Sequence, residues 1–104
     1  MVSDSDDGRI SMEPPALGGL VEVVVRGVPI AVANVNGALH AFESTCTHAD
    51  CSLTDGTLKD LTVVCACHGG TFDLVTGAVL AGPPDGPIRI RPITRDGDQL
   101  VIGD

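Results

Sequence analysis

Two short loops limit what this chain can become. The first reads Cys46-Thr47-His48-Ala49-Asp50-Cys51, and the second Cys65-Ala66-Cys67-His68-Gly69-Gly70-Thr71-Phe72. Each supplies a thiol and an imidazole: Cys46 and His48 with one residue between them, Cys65 and His68 with two. Residues 49–64 separate the pairs, a stretch long enough to turn back and bring the loops together. Two thiolates and two imidazoles suit either zinc or an iron–sulfur cluster.

Spacing helps to choose. Zinc ribbons and knuckles carry Cys-x2-Cys or His-x3-His spacings, which Cys-x-His fits poorly. The pattern Cys-x-His followed by Cys-x2-His closely resembles the Rieske [2Fe–2S] family, in which two cysteines hold one iron and two histidines the other. The surrounding Cys-Thr-His and Cys-x-Cys-His-Gly-Gly-x-Phe-Asp are similar to that family too, and the resemblance runs from about Leu20 to Ile102. It implies one [2Fe–2S] cluster per chain, held by Cys46, His48, Cys65 and His68. A zinc site or a pair of unligated structural loops are the competing readings.

The residue types suit that chemistry. Cys46 and Cys65 as thiolates are soft anionic donors. His48 and His68 are neutral, so their iron carries less negative charge than in an all-cysteine cluster and accepts an electron more readily. Their far nitrogens are expected to face solvent, as an exit for the electron and a site for protons. Gly69 and Gly70 let the backbone approach closely and offer N–H donors to the cluster sulfurs.

Composition narrows the partners. A chain of 104 residues is expected to make one domain with a modest core. A formal charge of −8 argues against nucleic acid and anionic membranes. With no Trp or Tyr, and only Phe42 and Phe72, there is no platform for stacking bases. No apolar run approaches the length of a spanning helix, and the acidic start Met-Val-Ser-Asp-Ser-Asp-Asp is unlike a signal peptide. The expectation is a soluble, cytoplasmic monomer whose acidic surface, with Asp50 and Asp55 near the first loop, either steers docking to a basic partner or simply solubilises the chain. Four cysteines in a cytosolic chain read as ligands sooner than as a disulfide framework.

Along the chain, residues 1–8 read as a flexible acidic tail and 9–104 as a single Rieske domain, with the cluster-binding subdomain at about 44–73. Arg9 to Met12 is expected to form an edge strand, and Leu20–Arg26 and Val28–Val35 a strand pair through Gly27. Asn36-Gly37 signals a hairpin into Ala38–Phe42. His40 lies on that strand as a surface or packed residue. Asp55-Gly56 reads as a turn, Leu61–Val64 as a strand feeding Cys65, and Phe72 as packing beneath the second loop. Ala78–Leu80 is another short strand. Ile88-Arg89-Ile90-Arg91 alternates, apolar in and charged out. Asp96-Gly97 reads as a hairpin leading to Gln99–Ile102. Helical periodicity is absent, so the fold class is all-β: an antiparallel β-sandwich base carrying a small two-loop subdomain. Gly82-Pro83-Pro84-Asp85-Gly86-Pro87 is at least a rigid connector; it also resembles the proline-rich loop that covers one side of the cluster in this family.

The resemblance bears on the remaining cysteines. Cys51 and Cys67 match positions where Rieske proteins of quinol-oxidising complexes place a disulfide between the loops, and two small buried thiols are the alternative. Other positions point away from that branch, whose high-potential members carry hydroxyl donors where this chain has Gly70 and Phe72. Fewer donors leave the reduced cluster less stabilised, which implies a low potential. The implied function is a one-electron carrier, not an enzyme: a ferredoxin taking electrons from an NAD(P)H-dependent flavin reductase to a terminal oxygenase. A fixed relay subunit of a larger oxidoreductase and a zinc-binding interaction module are the alternatives.

Overall fold

Two tight turns set the centre of the molecule. In the computed structural model, which describes residues 4–5, 7–45, 52–66, 70–82 and 86–103, Arg26 and Gly27 take φ of 50° and 77°, and Asn36 and Gly37 take 55° and 92°. Consecutive left-handed residues make the mirror-type turn whose twist matches that of flanking strands. After β1 (Asp4–Ser5) and β2 (Arg9–Ser11), these turns join β3 (Leu20–Val25), β4 (Val28–Val35) and β5 (Ala38–Glu43) into an antiparallel meander. Register pairs Val25 with Val28 and Val35 with Ala38, so each connection is two residues long.

β4 is covered on both faces, which is why its apolar residues run without alternation. Ile30 and Val32 pack into one core with Ile10, Val23, Leu100 and Ile102. Ala31 and Ala33 pack into another with Phe42, Leu53, Val63 and Phe72. All four of these β4 residues are fully buried. The meander is therefore the middle of three layers. β10 (Ile90–Arg91) extends it beside β5, and β1 lies parallel along β3. On one side lies the sheet of β2, β11 (Ile93–Asp96) and β12 (Gln99–Ile102). On the other lies an antiparallel sheet of β6 (Thr57–Lys59), β7 (Thr62–Val64), β8 (Thr71–Asp73) and β9 (Val79–Ala81).

The fold is all-β as expected, with four local differences. Part of the predicted tail enters the fold: Asp4 and Ser5 pair with Val24 and Val25, and the buried Gly8 accepts a hydrogen bond from the Ile102 amide at 2.8 Å. Main-chain pairing along an open strand edge needs no apolar side chains, so acidic composition did not reveal it. Residues 53–55 form a 3-10 helix, where the sequence predicts a simple turn, because Ser52 caps it and Gly56 closes it. β6 was missed, since Thr57-Leu58-Lys59 is too short to show a period. Arg91 breaks the predicted outward pattern of its strand: only 10% of its side chain is exposed, and it pairs with Glu43 at 2.7 Å. An arginine can be drawn inward where a carboxylate meets it.

Candidate metal centre

The third sheet positions the second loop. β7 delivers Cys65 and β8 starts at Thr71, with the Cys65 amide donating to the Gly70 carbonyl at 2.7 Å. That bond closes the loop at its neck. Phe72, one residue into β8, is fully buried in the core beside Val63 and Leu53. Gly70 is buried as well. The sheet continues to Ala81, so the unit carrying the loops extends beyond residue 73.

A different set of contacts closes the first loop. Thr45 and Ser52 form an isolated antiparallel bridge, and the Leu53 amide donates to the Ser44 carbonyl. Behind this neck stands Glu22 of β3. Its Oε1 accepts hydrogen bonds from Ser44 Oγ at 2.8 Å, Ser52 Oγ at 2.9 Å and Thr54 Oγ1 at 3.3 Å. Ser44 is buried and donates its amide to the Pro29 carbonyl.

Gly56 brings the two stems together. A Cβ there would lie 2.1 Å from the Val64 carbonyl oxygen and 3.1 Å from that of Leu53. The chain leaving the first loop thus runs directly against the strand entering the second, and only glycine allows that approach. Sequence reasoning missed Glu22, Ser44, Ser52, Thr54 and Gly56. The available signal was Glu22 itself, a single carboxylate inside the apolar run Leu20-Val-Glu-Val-Val-Val.

Of the predicted ligands, Cys65 lies among the described residues: it is 2% exposed and its thiol is free. Cys46, His48 and His68 lie outside them, as do Cys51, Cys67, Gly69, Pro83, Pro84 and Asp50. Among the described residues alone no group of three candidate ligands forms. A buried, unbridged thiol at a loop neck fits a soft metal centre, and the neighbouring stem belongs to the loop carrying the other thiol. Asp55 is exposed and His40 half-buried on β5, its Nε2 enclosed without a hydrogen-bond partner. The exit of the proline-rich segment is tied down where the Ile88 amide donates to the Gly77 carbonyl at 2.9 Å.

Residues 11–92 match the Rieske [2Fe-2S] domain, and the chain belongs to that family. A resident cluster of two irons and two sulfides follows from membership. The chain is 38% identical over 97 residues to the ferredoxin component of the p-cumate 2,3-dioxygenase system of Pseudomonas putida, covering 91% of this chain and 82% of that protein. It is 32% identical over 85 residues to the corresponding component for naphthalene 1,2-dioxygenase in Pseudomonas aeruginosa, covering 82% of each. Among solved structures it resembles a complex of reduced oxygenase and oxidised ferredoxin in carbazole 1,9a-dioxygenase, with a TM-score of 0.85, 26% identity and 94% of each chain covered. The carbazole 1,9a-dioxygenase ferredoxin from Nocardioides aromaticivorans IC177 gives a TM-score of 0.84 at 25% identity, covering 91% of this chain and 96% of that one.

Proposed function

We propose that this chain is the ferredoxin of a multicomponent oxygenase system, passing single electrons from a flavin-dependent reductase to a terminal oxygenase. The observation that carries the reading is the pairing of two hydrogen-bonded loop necks, one delivering a buried free Cys65, in a chain whose Rieske relatives are ferredoxin components of dioxygenase systems. Cys46 and Cys65 would hold one iron, His48 and His68 the other. When bound, the cluster supplies a one-electron couple and no open coordination site for substrate. The protein's own work is to hold the two loops at a fixed separation and keep water from the thiolates. The chain is a carrier, and substrate chemistry belongs to its partner.

No helix among the described residues is long and apolar enough to cross a membrane, and the excess of acidic residues supports a soluble carrier in the cytoplasm that docks on basic partners. We assign Cys51 and Cys67 to a disulfide between the loops. Its contribution would be stiffness, since the ligands already remove most of the loop-closure entropy.

Purified protein should contain about two irons and two labile sulfides per chain and, once reduced, give a Rieske-type EPR spectrum of low average g. Alkylation after denaturation without reductant should label Cys46 and Cys65 and spare Cys51 and Cys67. One zinc per chain without sulfide overturns the cluster assignment, and labelling of all four cysteines overturns the bridge alone.

A further inference from the structure

Glu22 is placed where nothing in the sandwich itself requires a charge. Val21 and Val23, beside it on β3, face the core shared with the β2–β12 sheet, whereas Glu22 points to the other face. There one carboxylate oxygen gathers three hydroxyls belonging to both sides of the first loop: Ser44 before it, Ser52 and Thr54 after it. The Ser52 hydroxyl also accepts the Thr54 amide at 3.2 Å, so it is oriented from both sides. A carboxylate only accepts, so all three hydroxyls turn their protons to it.

We propose that Glu22 is the positioning residue for the Cys46–His48 loop, a hub on the rigid central sheet that fixes both ends of that loop. Cys46 lies two residues past Ser44 in the chain, so the neck at Ser44 sets where the ligand-bearing loop begins. Three bonds converging on one oxygen hold that neck in place. The inference rests on Cys46 and His48 being ligands, and it assigns Glu22 no part in electron transfer itself. What it controls is how long the cluster stays and how uniform its surroundings are.

Two readouts separate the clamp from the ligand assignment. In protein freed of iron, Glu22→Ala should speed amide exchange at Leu53 and Thr54 by roughly tenfold or more while β4 amides keep their protection. In the loaded protein, Glu22→Ala should bleach in the presence of a chelator about tenfold faster and broaden the EPR spectrum, whereas Glu22→Gln, which keeps an acceptor oxygen, should stay within about threefold of the wild type. Val21→Ala, on the same strand but packed into the opposite core, serves as the control for general destabilisation. If Glu22→Ala does not fold, Thr54→Ala removes one contact with Glu22, Ser52→Ala removes another together with the cap on the Thr54 amide, and each should accelerate bleaching to a lesser degree. Wild-type exchange at Leu53 and Thr54 in Glu22→Ala overturns the clamp, as does equal bleaching of Val21→Ala at equal loss of thermal stability. A wild-type protein that holds no cluster overturns the ligand assignment, and the exchange measurement still decides the clamp.

Discussion

Phe72 and Gly70 stand nearest to the question of redox potential at the level of single residues. Both are buried at the second loop, and neither side chain has a donor. The family resemblance implies that both positions adjoin the cluster, where a hydroxyl would favour its reduced, more negative state. One added hydrogen bond is worth about 1 kcal/mol, and a one-electron couple shifts about 59 mV per tenfold change in equilibrium. Phe72→Tyr is therefore expected to raise the midpoint potential by roughly 40 mV, read by protein-film voltammetry. Phe72→Tyr keeps the ring that fills this core, whereas Gly70→Ser must fit a side chain into a buried backbone. The wild-type midpoint should lie below roughly 0 mV, in the lower part of the Rieske range. A value well above +150 mV would show that the missing hydroxyls do not set it.

Among the elements, the contact of Gly56 with Val64 decides how closely the loops approach. The oxygen that an alanine methyl would meet at 2.1 Å belongs to the backbone of β7 and cannot rotate away. Gly56→Ala should therefore cost about 1–3 kcal/mol in urea unfolding. It should also lower iron per chain at equal expression, because the cost is met by parting the two stems. Full iron content with unchanged stability would show that the stems need not touch. The strands themselves were legible wherever the sequence had a mechanism to display. Asn36-Gly37 announced its turn, and the valines of β3 and β4 their burial. The family, and with it the cofactor, was legible because cysteine and histidine at those spacings have few other uses. What stayed hidden depends on groups far apart in sequence: Glu22 with Ser52, Arg91 with Glu43, Asp4 with Val24. A hydrogen bond between groups distant in sequence leaves no period to read, and the close approach at Gly56 is indistinguishable in sequence from an ordinary turn glycine.

For the whole molecule, the two mirror-type turns have a kinetic consequence. β3, β4 and β5 pair with one another through two-residue turns, whereas Ile10 of β2 must find Leu100 of β12. Short loops close with less entropy lost than long ones, and chains rich in local contacts cross their folding barrier sooner. The meander should thus be the nucleus, and the pairing of the two chain ends the last step. Pulse-labelled hydrogen exchange during refolding of iron-free protein should protect β3–β5 amides before those of β2 and β12; simultaneous protection would exclude this order. Glu22 belongs to the early group. Iron then arrives at a chain whose anchor for the first loop already stands, and maturation becomes a matter of closing two loops on a finished scaffold.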